Sequence, residues 1–368
     1  MKAIVSGGGS GGHIFPAVAI ANAIKKRWPD ADILFVGAEG RMEMEKVPAA
    51  GYRIEGLPIA GLQRKLTPAN ILKNMQLPFR ILRSRIKVRR ILKDFAPDIV
   101  VGVGGFASEP TLKAASAMGY KTLLQEQNSY AGLTNKMLAK DANCICVAYE
   151  GMDRFFPKEK LVFTGNPVRA DIENMTCSHE EGLAHFGLSD SQPTVLVVGG
   201  SLGARSINQM MLANLQTLAD GNIQYIWQTG RWGYEAAASS VSGSEIEAKV
   251  KVHQFIQRMD LAYAAADMVV SRAGAIAISE LCLVGKPVLL IPSPNVAEDH
   301  QTKNAMALVE KGAALMVPDA ECSTRCLPMV EEVLSDEVRM NAMKEAIGKL
   351  AMRGAADKIV DQIERIVR

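Results

Sequence analysis

Long hydrophobic runs and a secretory leader are both missing from this chain of 368 residues. A membrane helix needs about 18 consecutive apolar residues, and no run reaches that length. The nearest candidate, residues 268–292, is interrupted by Arg272, Glu280 and Lys286. The first residues are a strand and a glycine loop, not a basic region followed by an apolar one. The sequence therefore predicts a cytoplasmic protein without a membrane span.

Paired cysteines and the usual metal and nucleotide signatures are missing as well. None of the six cysteines has the two-residue spacing of a zinc or redox site, so we expect reduced thiols. No Walker lysine follows a glycine loop, and no Asp-x-Asp pair stands beside those loops to offer a metal site. These absences predict no metal and no other cofactor.

Acidic residues are missing from Leu57 to Lys93, where ten basic residues occur. Apolar side chains alternate with the basic ones, and Pro78 is expected to break or kink any helix here. We weigh a solvated basic helix against a patch that faces an anionic membrane. Nucleic acid is disfavoured because few aromatic residues accompany the charges. The candidate membrane patch comprises Met75, Leu77, Phe79, Arg80, Ile81, Leu82 and Arg83.

The opening stretch has the pattern of a strand, a glycine loop and a helix. Ala3–Val5 are apolar, residues 7–12 are five glycines and Ser10, and helical spacing follows from Ile14. Glycines let a backbone approach a ligand closely, and a helix N-terminus offers unpaired N–H groups. His13 is the loop's one acid–base side chain. A structural turn capped by Ser10 remains the alternative.

The same pattern returns about 190 residues later, at Thr194–Asn208. A polar cluster at residues 126–129 follows another predicted strand, and parallel sheets bind ligands at that edge. We infer an α/β fold of two Rossmann-like, doubly wound parallel-sheet domains facing a central cleft. Glycine loops at residues 201–205 and 272–275 suit a diphosphate, with Glu280 placed to bond a ribose diol.

Five spaced stretches in this order resemble the MurG family of glycosyltransferase family 28: residues 8–13, 126–128, 165–169, 199–201 and 272–280. The resemblance runs from residue 2 to about residue 315 and implies the GT-B fold. It implies an acceptor and membrane-facing domain at residues 1–165, a UDP-sugar donor domain at 166–345, and a C-terminal helix at 346–368 that packs back on the first domain.

The resemblance also implies an activity. Members transfer N-acetylglucosamine (GlcNAc) from UDP-GlcNAc to the C4 hydroxyl of N-acetylmuramic acid in lipid I, with inversion, giving lipid II for peptidoglycan. The implied partners are UDP-GlcNAc, lipid I, an anionic membrane surface and proteins of cell-wall synthesis and division, but no nucleic acid. The implied location is the cytoplasmic face of the inner membrane, and no metal or cofactor is implied.

Site residues follow from the resemblance by position. The implied donor contacts are Ser10, Gly11, Gly12, Asn128, Arg169, Ser201, Ile256, Ala275, Ile276, Ala277, Ile278, Ser279, Glu280 and Gln301. Four positions depart from the family pattern. Ser10 replaces a usual threonine and keeps the hydroxyl, Gln125 replaces a frequent histidine, and Leu202 and His300 each replace a frequent glutamine.

For catalysis the candidates are His13 as general base, Asn128 and Glu280. A neutral imidazole suits proton abstraction near neutral pH, although a structural histidine that bonds the loop backbone is the alternative for His13. A carboxylate that only favours the helix N-terminus is the alternative for Glu280. Competing functions are another two-domain UDP-sugar enzyme, such as a UDP-GlcNAc 2-epimerase or a diacylglycerol glucosyltransferase, and a non-catalytic UDP-sugar sensor.

Overall fold

The computed structural model describes residues 1–9, 11–59, 75, 77–200 and 202–368, and only the backbone of Leu77, Pro78 and Ala297. The chain forms two compact units. The first consists of Met1–Arg169 together with Gly354–Arg368, and the second of Ala170–Arg353.

The first unit is built on a parallel sheet of seven strands in the order β3-β2-β1-β4-β5-β6-β7. Its strands are short apolar runs, because helices cover both faces of the sheet. The strands are β1 (Lys2–Ser6), β2 (Asp32–Ala38), β3 (Arg53–Leu57), β4 (Ile99–Gly102), β5 (Thr122–Glu126), β6 (Cys144–Val147) and β7 (Leu161–Phe163). The chain order reverses beside β1, between β1 and β4, which is where doubly wound sheets bind ligands.

Six of the described helices belong to this unit. They are α1 (Gly11–Arg27), α2 (Glu43–Ala49), α3 (Leu77–Phe95), α4 (Ser108–Ala117), α5 (Leu133–Leu138) and, from the C-terminus, α16 (Ala355–Val367).

The second unit repeats this plan with six parallel strands in the order β10-β9-β8-β11-β12-β13. The strands are β8 (Thr194–Val198), β9 (Gln224–Gln228), β10 (Val250–His253), β11 (Met268–Ser271), β12 (Val288–Leu290) and β13 (Leu315–Met316). The chain order again reverses between β8 and β11. The predicted class of two Rossmann-like, doubly wound parallel sheets is confirmed.

The helices of the second unit flank this sheet. They are α6 (Ala170–Glu173), α7 (His179–Phe186), α8 (Arg205–Ala213), α9 (Leu215–Asp220), α10 (Tyr234–Val241), α11 (Met259–Ala265), α12 (Ala275–Val284), α13 (His300–Val309), α14 (Cys322–Leu334) and α15 (Glu337–Gly348).

The C-terminal helix α16 packs on α1 in the first unit. Ile359, Val360 and Ile363 are completely buried in the core that they share with α1. At about 1.5–3 kcal/mol for each buried aliphatic side chain, this apolar face supplies most of the attachment. Arg27 adds ion pairs to Asp361 and Glu364, both at 2.7 Å, but exposed pairs contribute about 0–1 kcal/mol each.

The expected break or kink at Pro78 stays a prediction, because residues 60–74 and Gln76 lie outside the described part of the chain. Helix α3 runs from Leu77 to Phe95, with Pro78 in its first turn. The first N–H groups of a helix have no intrahelical acceptor, so proline removes no hydrogen bond at that position. Among the described residues, no helix is both long enough and apolar enough to cross a bilayer.

Candidate active site

The glycine loop that follows β1 lies at the carboxyl edge of the first sheet. A Cβ atom on Gly7 would lie 2.1 Å from Cγ2 of Val103, and one on Gly8 would lie 2.2 Å from Oε1 of Glu43. Gly8 also has a φ of +153°, which side-chain-bearing residues rarely adopt. The predicted helix after the loop is α1, which begins at Gly11, and Ser10 lies outside the described residues.

Glu43 holds this loop, and sequence analysis missed it. Its side chain is completely buried at the start of α2. The carboxylate accepts hydrogen bonds from the backbone N–H groups of Gly9, at 3.0 Å, and Ala38, at 3.1 Å. A glutamate in the first turn of a helix looks ordinary in sequence, and only the fold brings it to the loop.

His13 contacts the polar cluster that follows β5. Its imidazole is half-buried, and Nδ1 lies 3.0 Å from Oε1 of Gln127. The ring also covers Gly104, where an added Cβ would lie 3.0 Å from the His13 Cε1 atom. The structure therefore brings two separate sequence motifs together, at the ends of β1 and β5.

Asn128 is placed by its neighbour Glu126. The Glu126 carboxylate is buried and accepts hydrogen bonds from the backbone N–H and Nδ2 of Asn128, at 3.0 and 3.1 Å. It also accepts bonds from the N–H of Gly132 and from Nδ2 of Asn135, both at 2.9 Å. Four donors hold this carboxylate, so Glu126 acts as a structural anchor that fixes the Asn128 loop.

In the second unit, the loop after β8 borders a cavity of about 420 Å³. Gly203 in this loop packs directly on the loop after β9, because a Cβ on Gly203 would lie 2.2 Å from the carbonyl oxygen of Thr229. Ser201 lies outside the described residues. The cavity is lined by Gly199, Gly203, Ala204, Arg205, Ser206, Gln209, Arg272, Ser293, Asn295, Gln301 and Asp319.

Arg272 lines the cavity but is already paired within the second unit. Its Nη1 forms a salt bridge with Asp319 and donates to the carbonyl of Ile291 at 3.0 Å, and its Nη2 donates to Oγ of Ser206 at 2.9 Å. The sequence predicted a diphosphate contact for the glycine loop at residues 272–275, not for the Arg272 side chain, and it did not single out Asp319, which lies far along the chain beside β13. The guanidinium instead ties together the ends of β11 and β12 and the start of α8.

Arg205 is the exposed cation of the same cavity. It is the first residue of α8, and in the described part of the chain its guanidinium has no hydrogen-bond or ion-pair partner. Gln301 lies on the cavity wall, where its Oε1 accepts a hydrogen bond from the N–H of Ser293 at 2.9 Å. The cavity therefore combines a helix N-terminus, an exposed positive charge and amide groups, which together suit an anionic, hydroxylated ligand.

The predicted donor segment, residues 275–280, forms the first turns of α12. Ile278 belongs to the core, and Oγ of Ser279 donates to the carbonyl of Ala275 at 3.0 Å. Glu280 is buried, and the hydroxyl of Tyr263 lies 3.3 Å from its Oε2. The side chains of Ile278 and Ser279 thus make contacts within the second unit.

Ile256 is buried after β10, and its backbone N–H donates to Oε1 of Gln228 at 2.9 Å. Its backbone N–H is therefore already engaged within the second unit. Phe255 beside it is 52% exposed and was not singled out from the sequence. Arg169 is half-buried and is the last residue of the first unit's N-terminal segment, Met1–Arg169.

Helix α3 presents apolar side chains on two different faces. Val88 and Leu92 are buried in the core of the first unit, and Ile81 packs beside them. Phe79, Leu82 and Ile86 are 74%, 57% and 55% exposed, with Met75 just before the helix at 68%. These four residues are spaced at three and four positions, so they line one outer face together with the exposed Arg83. Exposed apolar stripes of this kind mark interaction surfaces.

No group of three or more potential metal ligands occurs among the residues that the structure describes.

The comparisons with known proteins agree with this geometry. The glycosyltransferase family 28 N-terminal domain matches residues 3–147, and the family 28 C-terminal domain matches residues 194–359.

Two curated relatives are named UDP-N-acetylglucosamine–N-acetylmuramyl-(pentapeptide) pyrophosphoryl-undecaprenol N-acetylglucosamine transferase. The protein of Parabacteroides distasonis is 54% identical over 100% of this chain and 98% of its own length, and that of Phocaeicola vulgatus is 52% identical over 100% and 96%. Among solved structures, MurG of Acinetobacter baumannii is 27% identical with a TM-score of 0.78, over 99% of both chains.

One assignment follows from the two doubly wound sheets, the glycine loops at both switch points, the matches to both family 28 domains and the likeness along the whole chain. The chain belongs to glycosyltransferase family 28 and, within it, to the MurG family, with the GT-B fold.

Proposed function

We propose that this chain transfers GlcNAc from UDP-GlcNAc to the C4 hydroxyl of N-acetylmuramic acid in lipid I, giving lipid II and UDP. The observation that carries the proposal is the identity of 50–54% over the whole chain to relatives whose name states this transfer. The ligand-binding edges of both sheets support it, because each has a glycine loop against a helix N-terminus.

The reaction is a single displacement with inversion. The C4 oxygen of the acceptor forms a bond to C1 of GlcNAc while the bond between C1 and the β-phosphate oxygen breaks. UDP leaves with that electron pair, and the hydroxyl proton passes to Nε2 of His13. This assignment is supported by the position of His13, whose Nδ1 is already engaged by Gln127 at 3.0 Å.

The negative charge that develops on UDP is stabilised without a metal. Helices α8 and α12 begin at Arg205 and Ala275, beside the glycine loops at the ends of β8 and β11. Helix N-termini carry partial positive charge, and Arg205 adds a full one. Since Arg272 is held by Asp319, we assign the diphosphate contact to Arg205.

The donor's other groups are assigned to the second unit as follows. Glu280 bonds the ribose hydroxyls, the carbonyl of Ile256 accepts from the uracil N3–H, and Gln301 bonds the sugar hydroxyls from the cavity wall. Asn128 in the first unit bonds the GlcNAc group, in the loop that Glu126 fixes.

The outer face of α3 is the membrane-contacting surface. A lipid-linked acceptor does not leave the bilayer, so the enzyme must come to it. Phe79, Leu82 and Ile86 would enter the boundary between headgroups and acyl chains, while Arg83 and its basic neighbours meet anionic headgroups. We therefore assign the protein a peripheral position at the cytoplasmic face of the membrane.

The test uses radiolabelled UDP-GlcNAc and a short-chain lipid I analogue in the presence of EDTA. The expected product is the disaccharide lipid with a β(1→4) linkage, identified by the coupling constant of the new anomeric proton. An α-linkage would refute inversion, and loss of turnover in EDTA that Mg²⁺ restores would refute the metal-free scheme. Release of UDP or epimerised sugar without acceptor would point instead to the epimerase class.

A further inference from the structure

Three buried amide side chains, those of Gln127, Gln125 and Asn166, form a hydrogen-bonded network next to His13 in the first unit. Gln127 and Gln125 are both buried, and Nε2 of Gln127 donates to Oε1 of Gln125. Nε2 of Gln125 donates in turn to Oδ1 of Asn166 at 2.9 Å. Asn166 completes a ring of hydrogen bonds, because its Nδ2 donates to the backbone carbonyl of Gln127 at 3.0 Å.

The backbone fixes which way the Gln127 amide points. Its Nε2 lies 2.9 Å from the carbonyl oxygen of Val103 and 3.1 Å from that of Gln125. Both carbonyls can only accept hydrogen bonds, so the flipped amide would place Oε1 against two oxygens. Oε1 of Gln127 must therefore face His13.

The orientation of Gln127 determines the proton on His13. An amide oxygen can only accept, so Nδ1 of His13, 3.0 Å away, must be the protonated nitrogen. In the neutral imidazole the lone pair then lies on Nε2, which has no hydrogen-bond partner among the described residues. The imidazole of His13 is half-buried, so this nitrogen can be reached by an acceptor.

We propose that Gln127 is a positioning residue that holds His13 in the Nδ1-protonated tautomer, so that Nε2 is available for the acceptor's proton. Gln125 and Asn166 contribute to this positioning, because their hydrogen bonds hold Gln127 in place. The proposal rests on the proposed function in one respect: the proton acceptor of the transfer is His13.

An amide differs from a carboxylate in this role. A carboxylate would also accept from Nδ1, but it would stabilise the protonated imidazolium and keep the base charged. The carboxylates on neighbouring elements are engaged elsewhere: Glu43 holds Gly9 and Ala38, and Glu126 holds the Asn128 loop. Gln127 thus orients the base without placing a negative charge beside it.

The first experiment needs no turnover. The chain has five histidines, and ¹⁵N spectra of labelled protein, assigned with His13→Gln, report which ring nitrogen of His13 carries the proton. We expect Nδ1–H in the wild type and a mixture of tautomers in Gln127→Met. Gln224→Met is the matched control, since Gln224 is a buried glutamine bonded to Ser189 and Gln192 in the second unit. Nε2–H in the wild type would overturn the proposal.

The second experiment compares Gln127→Met with Gln127→Glu, so that the proposal remains testable if the methionine variant fails to fold. In Gln127→Glu one carboxyl oxygen replaces Nε2 beside the carbonyls of Val103 and Gln125, so it must carry a proton, and the other oxygen still accepts from Nδ1 of His13. Gln127→Glu should therefore keep the Nδ1-protonated tautomer, with kcat within about threefold of wild type. For Gln127→Met, kcat should fall about tenfold, with KM for UDP-GlcNAc within about twofold of wild type. Nε2–H in Gln127→Glu, or a loss in Gln127→Met confined to KM, would overturn the positioning role.

The two experiments separate the possible failures. Nδ1–H in the wild-type spectrum without any GlcNAc transfer would leave the tautomer assignment intact and refute the proposed function. Normal transfer by Gln127→Met with a mixed tautomer would refute the role of Gln127 and leave the proposed function intact.

Discussion

Oε2 of Glu43 accepts a hydrogen bond from the backbone N–H of Gly9 at 3.0 Å, and its Oε1 accepts from Ala38 at 3.1 Å. One buried carboxylate therefore joins the first glycine loop to the end of β2. The loop itself has almost no side chains with which to hold its shape. Its geometry depends on a residue more than thirty positions away in the chain.

We expect Glu43→Gln to disturb this loop more than its small chemical change suggests. The amide keeps one acceptor, but its NH₂ group faces a backbone N–H, leaving a buried donor unsatisfied at about 1–3 kcal/mol. Urea unfolding should show that loss, and kcat should fall with it. Glu45→Gln, on the exposed side of the same helix, is the control and should change neither. Equal behaviour of the two variants would contradict the role of Glu43.

Arg205→Ala tests which arginine meets the diphosphate. Removing one charge-assisted hydrogen bond of about 1.5–3 kcal/mol should raise KM for UDP-GlcNAc by about tenfold or more. Thermal stability should not change, because the side chain is exposed. Arg325→Ala is the control, since Arg325 is exposed and pairs only with Glu321 in the described structure. An unchanged KM would show that residues other than Arg205 contact the diphosphate.

The sequence predicted the sheets and the glycine loops well because these are local patterns. The run from Ala3 to Val5 and the glycines after it define a strand and a turn by themselves, and the same holds at Thr194–Val198. Parallel strands then bring their carboxyl ends to one edge, which is enough to predict where His13 and Asn128 lie.

The partners of those residues could not be predicted, because they are distant in the chain and ordinary in sequence. Glu43 resembles any glutamate at a helix start, and Asp319 pairs with Arg272 across 47 positions. Gln127 belongs to the polar cluster at residues 126–129, which the sequence does indicate. The orientation of its amide depends on the backbone carbonyl of Val103, however, and a backbone group leaves no signal in the side-chain pattern.

His253 makes the stability of the second unit depend on pH. Burial lowers the pKa of this imidazole, and the nearby charges of His185 and Lys251 lower it further. Its Nε2 is buried and has no hydrogen-bond partner among the described residues. The unfolded chain therefore binds a proton at a pH where the folded chain does not, and stability is lost as pH falls below about 6.5. Above that pH, the protonation of His253 should no longer change the free energy of unfolding.

Urea unfolding at pH 7.5 and pH 5.5 measures this effect. The free energy of unfolding of the wild type should fall between these values, and His253→Leu should show a smaller fall. His179→Leu provides the comparison, because His179 is half-buried and its Nδ1 lies 3.0 Å from the carbonyl of Ala264. A pH dependence that His253→Leu leaves intact would show that another group is responsible.

The outer face of α3 makes the membrane proposal directly measurable. The exposed side chains of Phe79 and Leu82 contribute little to folding, but each would gain about 1.5–3 kcal/mol on entering the acyl boundary. Phe79→Ser with Leu82→Ser should therefore lower the partition coefficient onto anionic liposomes by at least about tenfold, at unchanged thermal stability. Val338→Ser is the matched control, because Val338 is 82% exposed on a helix of the second unit.

The charges on this helix make a separate contribution. Each basic residue near an anionic surface adds about 1 kcal/mol, and salt screens that attraction within a Debye length of about 8–10 Å. Arg83→Glu should thus weaken binding at low salt and matter less at high salt, whereas the serine variants should lose affinity at both. If liposome binding does not change with salt, with lipid charge or with the Phe79→Ser substitution, the membrane-contacting surface lies elsewhere on the protein.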